Sequence, residues 1–158
     1  RTAKEYQELQ DKKAAAEKKR REREAKRNME QTRKALEEIL KTNDGADAFS
    51  IRGNGLVLVV PKTADDIKAE GEKLHHCVGG YVDRVAKGET NIFFVRKADK
   101  PDEPYFTMEW KNNDVFQCRG IHNCDMTPDV KAFTQAFKKK MLDSIKGRTK
   151  NGGAVNAR

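Results

Sequence analysis

Hydrophobic positions are sparse and helically spaced up to about residue 42, then dense and often alternating from residue 48 to residue 120. Residues 1–42 hold no Gly or Pro and are rich in Ala, Glu, Lys, Arg, Gln and Leu, all good helix formers, which predicts one long helix. Its apolar positions are Tyr6 and Leu9, then only alanines between residues 11 and 27, then a stripe of Met29, Leu36, Ile39 and Leu40. The last two turns are therefore expected to dock on a domain, while the rest projects into solvent or pairs with a helical protein partner.

Beyond Asn43-Asp44-Gly45, two apolar runs at 48–52 and 56–60 flank Gly53-Asn54-Gly55. Gly and Asn tolerate the positive φ of tight turns, so this is a hairpin pattern. The second run is apolar on both faces, which predicts a central strand with helices above and below it. Thr63 followed by Asp66 has the spacing of a capping box and opens a helix. Ile67, Leu74 and Val78 recur at helical spacing, setting His75 and Cys77 beside a buried stripe. Residues 81–87 read as a second short helix closed by Gly88.

Strands are expected at 91–96, 105–110 and 115–120, the first two joined by a loop with two prolines and the last two by an Asn112-Asn113-Asp114 turn. Period-two alternation puts Phe106, Met108, Trp110, Phe116 and Cys118 on the core face. Thr107, Glu109, Gln117 and Arg119 then share the other face, with Glu109 and Arg119 within pairing reach. Thr127-Pro128 opens a last helix with Val130, Phe133, Phe137 and Met141 as its buried stripe. The fold class is α+β: a mainly antiparallel sheet of about five strands with packed helices, preceded by a long basic N-terminal helix. The expected divisions are 1–42 (charged helix), 43–146 (α+β domain) and 147–158 (disordered basic tail).

Charge changes this picture at the two ends. The net charge is +8, yet residues 1–42 carry 14 Lys/Arg against 9 Asp/Glu, residues 43–130 carry 11 against 15, and residues 131–158 carry 8 against 1. A mildly acidic centre between basic ends points to a polyanionic partner, with nucleic acid, DNA or RNA, the first candidate. The positions expected to meet phosphates are Lys18, Lys19, Arg20, Arg21, Arg23, Lys26 and Arg27 on the long helix and Lys138, Lys139 and Lys140 on the last one. No aromatic or base-reading motif interleaves them, so binding without sequence preference is expected. Three cysteines cannot all pair, and no apolar run reaches the length of a membrane span, which fits a reducing cytoplasm and no membrane partner. The chain opens on Arg1 within a helical pattern, as a piece of a longer protein would.

The densest chemistry lies in residues 72–81, where His75, His76 and Cys77 precede Gly79-Gly80 and Tyr81. The glycine pair predicts a bend between two helices, and a bend lined by imidazoles and a thiol is site-like. An ordinary helix end with a buried cysteine would have the same sequence. Zinc would draw on His75, His76, Cys77, Cys118, His122 and Cys124, but there is no CxxC knuckle and Cys118-x3-His122-x-Cys124 is not a standard ligand set, so no metal site is assigned. A thiol enzyme would use Cys77 as nucleophile, His76 or His122 as base and Asn123 as orienter. Neither a P-loop nor a paired acidic motif for magnesium is present. A further reading gathers His76, Glu109, Gln117, Arg119 and Asn123 into a polar pocket roofed by the bend, a pattern that a buried ion-pair network would share.

Glu70-Gly71, the run at 74–81, the strand at 92–96, Pro104, Thr107-x-Glu109, and Gln117-x-Arg119-Gly120 with Asn123 together resemble the PcfJ-like family over roughly residues 56–142. That family occurs on conjugative plasmids and related bacterial mobile elements, so the resemblance implies a context of mobile DNA rather than a mechanism, and it implies no cofactor. His76, Cys77, Glu109, Gln117, Gly120 and Asn123 match its pattern. The candidate catalytic set is His76, Cys77, Glu109, Gln117 and Asn123. The expected role is a nucleic-acid-associated or complex-forming accessory protein of a mobile element, with an enzyme or metal-binding domain centred on the His-His-Cys motif as the alternative.

Overall fold

The computed structural model describes residues 1–42, 48–51, 54–76 and 78–151. Helix α1 spans Ala3–Glu37 and is followed by a two-residue strand β1 (Lys41–Thr42), β2 (Ala48–Ser50) and β3 (Leu56–Val59). Helix α2 (Ala64–Leu74), a 3-10 turn (Val78–Tyr81) and α3 (Val82–Ala86) come next. Strands β4 (Asn91–Lys97), β5 (Phe106–Lys111) and β6 (Asp114–Arg119), a second 3-10 turn (Ile121–Asn123) and α4 (Pro128–Asn151) complete the order. Among the described residues the strands form one sheet in the order β1-β2-β3-β4-β5-β6, every neighbouring pair antiparallel. The α+β reading and its five strands hold, with β1 added at the edge.

Alternation sorts the sheet into two unlike faces. Cross-strand pairs Val95↔Phe106, Phe93↔Met108 and Met108↔Cys118 lie on one face. Helix α4 covers it: Phe137 stands edge-on to Phe93 and Trp110, with ring centroids 5.6 and 5.0 Å apart, and Val130 and Phe133 are fully buried beside it. The opposite face carries Phe94↔Thr107, Ile92↔Glu109, Glu109↔Gln117 and Thr107↔Arg119. It lies under α2 and α3, which contribute polar contacts as well as Ile67, Val82 and Val85 to the core. Strand β3 is interior and its Leu56, Val57 and Leu58 are buried, as its two-sided apolar pattern predicts.

Helix α1 ends at Glu37 rather than near residue 42, because Lys41 and Thr42 pair with Ser50 and Phe49 along an otherwise open edge of β2. Docking begins much earlier than the hydrophobic stripe indicates. Arg21 pairs with Asp83 at 2.9 Å, Glu22 with Lys68 at 2.9 Å, and Asn28 Nδ2 donates to the last carbonyls of α3, those of Val85 and Ala86, at 2.9 and 3.0 Å. Ala25 is fully buried between these contacts. A polar docking face and one alanine leave no hydrophobic period to read. Residues 3–20 stand off the body, with nearly all their side chains exposed.

Helix α4 runs to Asn151, so 147–151 is helical instead of disordered; 152–158 lie outside the described residues. Two residues of the expected 48–60 hairpin, 52 and 53, also lie outside them, while β2 and β3 pair as expected. The β5–β6 turn is the two-residue Asn112-Asn113, both at positive φ (55° and 58°), a conformation Asn tolerates. A bulge between Glu109 and Trp110 then places Val115 opposite Trp110 and Gln117 opposite Glu109. Phe116 is the extra residue, so it is turned out and 60% exposed, with Lys111 Nζ 4.6 Å from its ring centroid, rather than facing the core.

Candidate functional site

Helix α2 is opened by a complete capping box, in which the Asp66 amide donates to Thr63 Oγ1 and the Thr63 amide to the Asp66 carboxylate, both at 3.2 Å. It is closed by His75, which takes the left-handed conformation (φ 54°, ψ 48°) while the His76 amide donates to the Gly71 carbonyl at 3.1 Å. The bend is therefore made at His75, ahead of the glycine pair, and Val78 belongs to the following 3-10 turn rather than to the α2 stripe. Cys77 lies outside the described residues. Past the bend His76 drops toward the sheet, where its Nε2 sits 3.1 Å from Thr107 Oγ1. Burial holds its imidazole below the ordinary histidine pKa and so favours the neutral ring.

Glu109 is 2% exposed. Its carboxylate accepts from Thr90 Oγ1 at 2.6 Å and from Gln117 Nε2 at 3.2 Å, and Arg84 NH2 lies 3.8 Å away. Gln117 Nε2 also donates to the Tyr81 hydroxyl at 2.9 Å, and Arg84 sits 5.0 Å from the Tyr81 ring centroid. The expected Glu109–Arg119 pair is absent. Glu109 stands opposite Gln117 and Arg119 opposite Thr107, one rung away, so Arg119 turns to Asp125 in the following loop. That loop is held tightly: a Cβ at Gly120 would lie 2.8 Å from the Phe106 ring and 2.9 Å from Cys124 Sγ.

His76, Glu109, Gln117, Arg119 and Asn123, singled out by sequence, line one cavity of about 190 Å³ together with Tyr81, Thr107 and Ile92. Glu109 and Thr107 form its buried floor, His76, Gln117 and Arg119 are half-buried walls, and Asn123 stands exposed at the mouth. His75, His122 and Asn123 at or beside this mouth all have positive φ, and the His75 and His122 rings stack at 5.0 Å and 11°. Such strain persists only where surrounding contacts over-determine it, and it gathers at binding and catalytic sites. Sequence reasoning did not select Tyr81, Thr90 or Arg84. Tyr81 lies in the dense stretch and Thr107 shares the Glu109 face by alternation, whereas nothing in the sequence marks Thr90 or Arg84.

Cys118 is buried and its thiol is pushed up to about 12 by that burial, so it is no nucleophile; Cys124 is exposed in the loop. Among the described residues no three His, Cys, Asp or Glu side chains gather as a metal site would require, and no helix is long and apolar enough to cross a membrane.

The cations expected to meet phosphates sit apart from this pocket. Lys18, Lys19, Arg23 and Lys26 are exposed on α1, Arg20 pairs with Glu17, Arg21 with Asp83, and Arg27 with Glu24. On α4, Lys138 pairs with Asp114 and Lys139 with Asp143, both at 2.9 Å, and Lys140 is exposed.

These features define an α+β domain whose antiparallel sheet presents one polar, pocketed face beneath a strained helical bend. The model of the PcfJ-like protein family matches residues 3–134, and the chain belongs to that family. The match takes in α1, ahead of the 56–142 span that the motifs alone carry, and ends at residue 134 within α4. A curated relative from Listeria innocua, named only as an uncharacterized protein, is 40% identical over 94 residues, which is 58% of this chain and 20% of the relative. The chain thus spans about a fifth of that relative's length. No solved structure matches.

Proposed function

We propose that this protein is a nucleic-acid-associated or complex-forming accessory protein of a bacterial mobile element, plasmid or phage, acting in the cytoplasm and binding DNA or RNA through phosphates. The observation that carries this is the standing-off of α1 residues 3–20, which sets Lys18, Lys19 and Arg20 at the point where the helix leaves the body, next to the exposed Arg23 and Lys26. Clustered cations on an accessible helix displace counterions from a phosphate backbone whatever its sequence. The resemblance to proteins of conjugative plasmids supplies the mobile-element context. On the same free segment Tyr6 is 59% exposed and, with Leu9, offers a small apolar spot to a helical protein partner. The test is retention on DNA and RNA across a salt series, with Lys18, Lys19, Arg20, Arg23 and Lys26 changed to Gln. Binding that weakens steeply with salt, with a slope reduced by about 0.7–0.9 per phosphate contact removed, supports the reading. Retention unchanged by the five substitutions sinks it.

A second reading, an enzyme centred on His76 and Cys77, is favoured by the neutral imidazole facing a cavity floored by a buried carboxylate. Thermal melts of His76→Ala and Cys77→Ala beside Leu74→Ala test it. If the first two melt as early as the third, the bend is a structural clasp and this reading fails.

A further inference from the structure

The Gln117 amide is locked in one orientation. One Glu109 oxygen already accepts from Thr90 Oγ1, and the other takes the NH2 end of the amide. One N–H goes to Glu109 Oε1 at 3.2 Å and the other to the Tyr81 hydroxyl at 2.9 Å. With both donors committed, the carbonyl oxygen is what Gln117 offers to the cavity it lines. Beside it lie the apolar wall of Ile92, the half-exposed Arg119 guanidinium at the rim and the Asn123 amide at the mouth. A volume of about 190 Å³ is below the ~300–1,000 Å³ of pockets for drug-sized molecules and admits a single ring system. Next to the mouth the stacked, exposed His75 and His122 rings offer a flat aromatic surface.

We propose, resting on the nucleic-acid reading above, that this pocket takes one unpaired base of a single strand, its exocyclic amino group donating to Gln117 Oε1 and its phosphate lying toward Arg119. Proteins read single strands in this way, by splaying bases out, stacking them on aromatic or imidazole rings and bonding their edges. Glu109 acts through Gln117 and is a positioning residue. Cytosine carries an amino donor where uracil and thymine carry a carbonyl acceptor. The locked amide therefore selects cytosine over uracil.

The experiment titrates CMP and UMP separately into the protein, following the His76 imidazole and Gln117 amide signals by NMR, and repeats this with Gln117→Ala and Glu109→Gln after their melts have been recorded. Retention on oligo-dC and oligo-dT is measured alongside. CMP is expected to bind about tenfold tighter than UMP, the scale of edge-bond discrimination. Gln117→Ala should erase that preference. Glu109→Gln should narrow it, because a neutral amide no longer dictates which end of Gln117 faces it. Equal binding of CMP and UMP, no shift with either, or a preference that survives Gln117→Ala would overturn the proposal. Salt-dependent retention of both oligomers without nucleotide selectivity leaves the accessory reading standing and removes the pocket inference. CMP selectivity without retention of either oligomer overturns both, because the pocket would then take a free nucleotide rather than a base of a strand.

Discussion

Glu109 and Gln117 face each other across the β5–β6 ladder, and the Gln117 amide bridges the Glu109 carboxylate to the Tyr81 hydroxyl on the helical layer above. This bridge ties the sheet to the bend, and Arg119 takes no part in it. A double-mutant cycle on Glu109 and Gln117 is expected to give a coupling energy of about 0.5–3 kcal/mol, and one on Glu109 and Arg119 close to none. Coupling confined to the Arg119 pair would contradict the observed register.

Glu70 and Arg96 form a second buried contact on the same sheet face, 2.5 Å apart, with Arg96 NH1 also donating to the Pro101 carbonyl at 2.9 Å. Arg96→Ala strands a buried carboxylate and should cost about 3–5 kcal/mol in urea unfolding. Burial raises the Glu70 carboxyl above its ordinary 4.5 despite the nearby Arg96. The folded state therefore holds this proton more tightly than the unfolded chain. The group's contribution to stability is fully present below about pH 4.5 and is lost as pH rises through the folded value. Glu70→Gln mimics the protonated acid, so its stability relative to wild type should improve from pH 4 toward neutrality; a flat difference would refute this sign.

His76 works in the other direction. Its folded pKa lies below the ordinary 6.5, so the unfolded chain binds the proton more readily, and stability drops as pH falls through 6.5 toward the folded value. Unfolding midpoints of wild type and His76→Gln, compared at pH 7.5 and pH 5.5, should converge at the lower pH if the variant is the weaker at neutral pH. Parallel curves would place the titration elsewhere.

The bulge makes a sharp contrast between two phenylalanines. Phe116→Ser, at a 60% exposed position, should stay within about 0.5 kcal/mol of wild type, whereas Phe137→Ala empties the contact with Phe93 and Trp110 and should cost about 3–5 kcal/mol. Thermal melts of the two variants decide it, and a large loss at Phe116 would argue for an unbulged β6.

Gly120 has no room for a side chain. Gly120→Ala would press a methyl against the Phe106 ring and Cys124 Sγ, and a cost of about 1–3 kcal/mol is expected by calorimetry. A neutral substitution would mean that the 121–125 loop can move away from β5.

The sequence by itself determined the elements whose signals are local. The capping box at Thr63 and Asp66, Pro128 opening α4, the Phe133 and Phe137 stripe and the alternation of β5 are statements about neighbours a few residues apart, and each appears where its spacing places it. The same alternation put Glu109 and Gln117 on one polar face, and with the dense stretch around His76 it outlined the pocket before any pairing was known.

Tertiary structure decided what depends on partners distant in the chain. A single bulge turned Phe116 out of the ladder and set Gln117, not Arg119, opposite Glu109, because one inserted residue shifts the two-residue period without leaving a mark in composition. Likewise α1 docks through Ala25, Asn28 and two ion pairs, none of which forms a hydrophobic stripe. The bend fell on His75 rather than on the glycines because the helix end is set by the contacts His75 and His76 make with His122 and Thr107, residues 47 and 31 positions away. Backbone preference ranks glycine first for a left-handed turn, but the geometry needed to seat one imidazole on the sheet and stack another on the loop outweighs the roughly 1–2 kcal/mol that a non-glycine residue concedes there.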